Sequence, residues 1–216
     1  MRIGILGSGL MGGKLGTIFA RAGHEVVFSY SRSRKKLERL VRDSGHGAAA
    51  GTPREAAQGA DLLLLAVHWT RVDDVLEQAG DVRGKVVVTC SLPMNASDTE
   101  LVVAHTSSGA EELAKRVRGS AVVSAFGTVP SEVLFHVFEA RATGTPPSLV
   151  YCGDNAKAKR TAARLIRDAG FDPTDVGPLR FARYIEPFTM LVARLAYEGA
   201  GGPELVYRFD HFGRRR

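Results

Sequence analysis

The feature that most restricts how this chain can fold is GSGLMG at residues 7–12. It is a G-x-G-x-x-G turn set between a short apolar run, RIGIL at residues 2–6, and a stretch at 10–22 that reads as a helix stopped by Gly23. Residues 24–28 then return as a second strand. A strand, a glycine turn, a helix and a strand make the opening crossover of an α/β sheet. Each glycine has its own reason to be there. Gly7 permits the tight bend, Gly9 lets the backbone approach a diphosphate, and Gly12 lets helix and strand pack closely, with the diphosphate at the positive end of the helix.

The alternation continues along the chain. Helices are predicted at 35–42, 53–57, 72–79, 110–117, 131–140 and 155–169, and strands at 47–52, 61–67, 85–89, 121–125, 149–152 and 171–176. The run DLLLLAV at 61–67 is unbroken and apolar, as in a strand buried on both faces of a parallel sheet. The expected fold is therefore α/β: a doubly wound, mainly parallel Rossmann sheet over residues 1–177, with a short helical extension over 178–216 packed on the same domain. A wide apolar stripe including Ile185, Phe188, Leu191, Val192 and Leu195 marks that extension as a terminal helix. The strand ends at 68–70, 90–95 and 126–130 meet at the edge where open α/β sheets bind ligands.

The end of the second strand selects the dinucleotide. NAD-binding versions place a carboxylate there for the ribose hydroxyls, and a carboxylate repels a 2′-phosphate. This chain offers Ser29, Tyr30, Ser31, Arg32, Ser33, Arg34, Lys35 and Lys36 instead. Hydroxyl donors, guanidinium forks and ammonium groups suit a phosphate dianion, and cations clustered at a helix start oppose its dipole unless an anion is bound. NADP(H) is the expected cofactor.

Composition narrows the partners. The net charge of +6 is partly carried by residues 32–36 and by Arg214, Arg215 and Arg216, which makes a nucleic-acid partner the weaker reading. Cys90 and Cys152 fall in or at the end of buried strands, spaced for neither a metal site nor a disulfide, and are expected to stay reduced. The first strand starts at residue 2 and no apolar run reaches the ~18 residues of a membrane span. These features give the expectation of a cytoplasmic protein with no leader, membrane anchor or metal.

Six segments carry a resemblance over nearly the whole chain: GSGLMGGKLG, SRSRKK, LLLLAVHW, VVSAFGTVPSEV, YCGDNAKAKRTAARLIRDAGFDPTDVGPL and ARYIEPFTMLV. In order and spacing they resemble the NADPH-dependent reductases of the deazaflavin coenzyme F420, and the related NADPH-binding cytosolic domain of six-transmembrane ferric reductases. The resemblance implies that Gly7, Ser8, Gly9, Leu10 and Met11 hold the diphosphate, that Ser31, Arg32 and Lys36 hold the 2′-phosphate, and that Ala66, Val67, His68, Met94 and Ser131 line the nicotinamide. Phe126, Gly127, Thr128 and Val129 are then the expected acceptor-binding residues. One departure stands out. Where the deazaflavin reductases carry a histidine facing the second coenzyme, this chain has Gly127, which opens room for a different acceptor. The ferric reductases read VVSAWA there and finish their electron path through a haem-bearing membrane domain, so this chain is expected to hand hydride to a soluble flavin-like acceptor.

Hydride exchange between two bound rings needs no nucleophile, and no catalytic side chain is assigned. His68 has the chemistry to bind substrate or supply a proton, or is a polar strand-end residue; Trp69 stacks on a ring or packs on the next helix. His105 reads as surface, and Lys14 and His24 as solvated helix-face and turn residues. An imine or carbonyl reductase is a second reading, ranked lower because about one long helix follows Gly177. An NADPH-sensing regulatory subunit is a third. Phe209 and Phe212 near the end of the chain suggest a homodimer contact.

Overall fold

A computed structural model describes residues 1–45 and 47–213, so the terminal arginines counted above lie outside the described residues. Its centre is one sheet in the order β3-β2-β1-β4-β5-β6-β7-β8. The strands are β1 (Arg2–Leu6), β2 (Glu25–Ser29), β3 (Ala48–Ala50), β4 (Leu62–Leu65), β5 (Val86–Thr89), β6 (Ala121–Ser124), β7 (Ser148–Gly153) and β8 (Asp172–Asp175). Helices α1 (Leu10–Arg21), α2 (Arg34–Ser44), α3 (Pro53–Gln58), α4 (Val72–Ala79), α5 (Gly109–Arg116), α6 (Val133–Ala140), α7 (Ala156–Asp168) and α8 (Ala182–Tyr197) cover it. Neighbouring strands run parallel, save for β6 against β7. This is the doubly wound Rossmann-type sheet read from the alternation of elements, and the order reverses between β1 and β4, beside the glycine turn.

The central strand behaves as its composition requires. Leu62 and Leu64 join a core cluster with Ile3, Ile5, Ile18, Phe19 and Phe28, while Leu63 and Leu65 join a second with Val75, Val87, Leu113 and Ile185. A strand with a core on each face has no solvated side to alternate toward. Pro173 lies in β8, the last strand of the order, where a missing N–H leaves no ladder bond broken on the outer side.

Two features fix the carboxyl-terminal part. The β6–β7 ladder stops after Val123↔Gly153 and Ser124↔Cys152, because Phe126 adopts a φ of 67° and turns the chain away. The tail fills the wedge this leaves: Ser148 N–H donates to Tyr207 O at 2.9 Å, Val150 N–H to Tyr207 Oη at 3.1 Å, and Phe209 N–H to Ser148 Oγ at 3.0 Å. Helix α8 is clamped to the start of α5 by Glu186, whose carboxylate accepts from Gly109 N–H at 2.8 Å and Ala110 N–H at 3.0 Å. Arg183 adds a forked pair to Glu111 at 2.8 and 2.7 Å.

His24 and Lys14 depart from their expected solvated setting. His24 is 3% exposed, with Nε2 2.9 Å from Asp168 Oδ2, because the end of α7 closes over the α1–β2 junction. Lys14 reaches across to the turn before α6 and donates to Ser131 O at 2.9 Å. Both expectations read a polar residue near a helix face or turn as solvated; a partner more than a hundred residues away overrides that local reading.

Candidate functional site

The glycine turn shows three separate steric requirements. Gly7 has φ +113°, and a Cβ there would lie 2.4 Å from Ala66 O. A Cβ on Gly12 would lie 1.9 Å from Gly7 O, so helix and strand touch through hydrogen alone. At Gly9 a Cβ would meet nothing within 4 Å, which leaves the backbone open on the outer side. No side chain caps α1, whose first N–H groups therefore face that open side without a side-chain acceptor. Ser8 is buried, and its hydroxyl donates to Ser29 O at 2.8 Å, so the side chain ties the turn to β2 and leaves the backbone of the turn to meet a ligand. Leu10 is exposed and Met11 packs against the core.

Beyond β2, Ser29 donates to Ile5 O at 2.7 Å, and Tyr30 bends the chain outward with φ 54°. Ser31 Oγ and Ser33 form a local turn at 3.2 Å, and Ser33 caps α2 by accepting from Lys36 N–H at 3.3 Å. The first turn of α2 contains no acidic residue. Arg32 is exposed, and Lys36 shares with Gly9 and Leu10 a groove of 630 Å³ between α1, α2 and α6. Two expected 2′-phosphate and diphosphate positions thus adjoin. One neighbour is absent from the sequence reading: the Tyr30 hydroxyl donates to the Asp74 carboxylate on α4. Burial, then that carboxylate, pushes the Tyr30 hydroxyl up to about 12.

The other end of the cleft is formed by the ends of β4, β5 and β6. Ser91 links the first two, its hydroxyl donating to Val67 O at 2.7 Å and accepting from Val67 N–H at 3.3 Å. Ala66 and Val67 are half-buried there, and Met94 is buried and bridged to Leu101. His68 has both ring nitrogens engaged: Nδ1 accepts from Thr70 N–H at 3.2 Å, which leaves Nε2 to donate to Asp98 Oδ1 at 3.0 Å. Its ring caps the 3-10 turn Trp69–Arg71 and pins the loop after β5. Trp69 packs on the α4/α5 side under the Arg116 guanidinium, 5.0 Å from its ring centre.

Of the four expected acceptor residues, the side chains of three face inward. Phe126 is fully buried, edge-on to Phe19 at 5.9 Å; Val129 joins the same core; and Thr128, 1% exposed, is hydrogen-bonded to Tyr207 Oη at 2.7 Å. A positive φ at Phe126 and the tail's closure of the wedge turn these side chains away from the strand ends, so they can meet a ligand through backbone alone. Gly127 is the open one. A Cβ there would meet only Cys90 O, at 3.7 Å. Ser131 is buried beside Lys14. Burial pushes both cysteine thiols up to about 12, which leaves no thiolate at neutral pH. Among the described residues, no cluster of three or more His, Cys, Asp or Glu is arranged to hold a metal.

Fold and turn define the chain as a dinucleotide-binding α/β protein related to the NADP-linked oxidoreductases. Residues 2–93 match the family described as NADP oxidoreductase, coenzyme F420-dependent, so the family read from the motifs is the one this segment carries. The relation to the ferric reductases also holds: the chain is 29% identical to Metalloreductase STEAP3 of Rattus norvegicus over 86% of its own length and 36% of the relative's. It therefore spans about a third of that metalloreductase. In fold it matches a crystal structure assigned as an F420-dependent NADP reductase from Arthrobacter sp. FB24, with TM-score 0.85 and 24% identity over 98% of this chain and 100% of that one. A reductive aminase from Aspergillus terreus, in complex with NADPH and ethyl-5-oxohexanoate, matches with TM-score 0.65 and 18% identity over 88% of this chain and 60% of that one. Among the described residues, no helix is long and apolar enough to cross a membrane.

Sequence reasoning missed Asp74 as the partner of Tyr30, Lys14 as the partner of Ser131 and Tyr207 as the partner of Thr128. Asp74 and Arg71 follow the strand end LLLLAVHW by a few residues, a signal that topology makes usable: β2 and β4 flank β1, so the loops after them face each other. Nothing local in the sequence marks Lys14 or Tyr207.

Proposed function

We propose that the chain binds NADP(H) across the β1/β4 switch point and exchanges hydride with a flat, flavin-like acceptor, with the deazaflavin coenzyme F420 as first candidate. The observation that carries this reading is the loop from Ser29 to Lys36, which presents Ser31, Arg32 and Lys36 beside an open glycine turn and an uncapped α1. Gly9, Leu10 and Met11 hold the diphosphate through backbone; Ser31, Arg32 and Lys36 hold the 2′-phosphate; Ala66, Val67, His68, Met94 and Ser131 border the nicotinamide. The nicotinamide supplies the hydride. The protein's part is to stack the two rings at reacting distance and keep water out, which requires neither a nucleophile nor a metal.

The test is calorimetry with NADPH and NADH, followed by absorbance at the nicotinamide band with F420, FMN, and an imine or ketone. NADPH is expected to bind at least about tenfold more tightly than NADH, as charged hydrogen bonds to the extra phosphate imply, and to be oxidised by F420. Equal affinity for the two nucleotides overturns the cofactor assignment. The space beside Gly127 favours a second acceptor class, and turnover with imines or ketones alone moves the assignment there. Tight NADPH binding with no oxidation by any acceptor makes the chain a sensor. Tyr184, Leu191 and Leu195, exposed on α8, support a homodimer, which light scattering at micromolar protein reads directly.

A further inference from the structure

We infer that Arg71 is a second guanidinium for the adenosine 2′-phosphate, facing Arg32 across the adenosine end of the cleft; this rests on the NADP(H) reading above. The loops after β2 and β4 rise on either side of the glycine turn, because β1 lies between those strands. The Tyr30 hydroxyl on the Asp74 carboxylate joins the two loops into one rim. Arg32 stands two residues beyond Tyr30, and Arg71 three residues before Asp74, so the same contact that closes the rim brings the two arginines together. Both act electrostatically on the Tyr30 hydroxyl, and Arg71 acts on Asp74 as well. Among the described residues, neither guanidinium makes a hydrogen bond or salt bridge, whereas the nearby Arg34 and Arg116 are paired with Glu38 and Asp73.

Arg71 also stands on a rigid base. Its N–H donates to His68 O at 2.8 Å, the His68 ring caps the turn, Trp69 is held under Arg116, and Arg116 Nε donates to Asp73 Oδ1 at 2.8 Å. The turn is fixed while the long side chain stays free to close on an anion. Asp74 gives the physical need for it. A carboxylate on the rim repels a phosphate dianion, and the chain offsets that charge by engaging Asp74 with Tyr30 and with Gln78 at 3.2 Å, and by setting the Arg71 cation beside it. Lys36 alone is a point charge; two planar forks give the phosphate oxygens directed donors.

The probes are 2′,5′-ADP and 5′-AMP, which differ by the phosphate in question, titrated calorimetrically into the full chain and into Arg71→Ala, Arg71→Lys and Tyr30→Phe. Arg71→Ala is expected to weaken 2′,5′-ADP about 10- to 100-fold while 5′-AMP stays within about twofold, and Arg71→Lys to recover part of the loss. Tyr30→Phe, which unties the rim, is expected to weaken 2′,5′-ADP by about threefold with 5′-AMP again unchanged. Unchanged 2′,5′-ADP binding in Arg71→Ala overturns the inference and leaves the cofactor assignment standing, as does an equal loss for both probes. A wild-type chain that holds 2′,5′-ADP no more tightly than 5′-AMP overturns the cofactor assignment and this inference with it. Thermal melts confirm that each variant is folded, as substitution of an exposed arginine should allow.

Discussion

The two ends of the cleft solve opposite problems. At the glycine-turn end, proposed to take the adenosine and diphosphate, shape comes from backbone: three glycines set the turn, α1 has no side-chain cap, and among the described residues Arg32, Arg71 and Lys36 have no hydrogen-bonded carboxylate partner. At the other end, proposed to take the nicotinamide and acceptor, polar side chains are already bonded within the protein. Ser91 is engaged with Val67, His68 with Thr70 and Asp98, Thr128 with Tyr207, Ser131 with Lys14, and Glu186 with the α5 amides. The first end keeps its charge for a ligand and the second keeps its rigidity for itself. On the proposed reading, the cofactor is recognised by charge and the acceptor by shape.

The largest loss is expected at Gly12. Gly12→Ala puts a methyl carbon 1.9 Å from Gly7 O, a backbone atom with nowhere to go. Overpacking of this kind costs about 3 kcal/mol, a fall of roughly 10 °C in Tm for a chain of this size, with nucleotide binding lost. A melt within about 2 °C of wild type would show that the turn does not depend on that contact.

Next in size is the clamp at the acceptor end. Burial pushes the Glu186 carboxyl up to about 7, against the pull of the Gly109 and Ala110 amides. Since the folded value lies above the ordinary 4.5, the folded state binds this proton more tightly than the unfolded chain does. The group's stabilising contribution is full below about pH 4.5 and declines as pH rises toward about 7, by at most on the order of 3 kcal/mol. Denaturant melts across that window should show stability falling with pH in the wild type and a flatter profile in Glu186→Gln. The same slope in both chains would assign the pH dependence elsewhere.

The charged end is sharpened by Arg32→Ala. NADPH affinity should fall about 10- to 100-fold, equivalent to about 1.5–3 kcal/mol, while NADH affinity holds within about twofold. A parallel loss for both nucleotides would mean that Arg32 supports the adenine or the loop rather than the phosphate.

The same division explains what could be read from the sequence. The sheet was legible because its signals are local: an apolar run at β4 and a glycine after each of α1 and α7. The charged stretch was legible as a cluster too, since Ser31, Arg32 and Lys36 lie close together in sequence and the first turn of α2 holds no carboxylate. The acceptor end was not. Phe126, Thr128 and Val129 look like ligand-facing residues after a strand, yet a left-handed φ at Phe126 and a hydroxyl arriving from Tyr207, 79 residues along the chain, turn them inward. His24 and Lys14 fail for the same reason, each satisfied by a partner more than a hundred residues away. Where side chains are partnered from a distance, residue type alone does not show which way they face.

The smallest expected effect on stability falls at the position proposed to face the acceptor. Gly127 borders the bonded end yet contributes no side chain to it, and its φ lies outside the left-handed region. A Cβ there makes ordinary contact with Cys90 O at 3.7 Å, so Gly127→Ala should shift stability by less than about 0.5 kcal/mol and NADPH affinity by less than about twofold. Gly127→His should then act on the acceptor alone, filling the gap with an edge that carries a hydrogen-bond donor. With F420 as acceptor, KM is expected to change about fivefold or more while NADPH affinity stays flat, a difference of about 1 kcal/mol confined to one substrate. If KM for every acceptor tried stays flat as well, the gap beside Gly127 is not where the second ring sits.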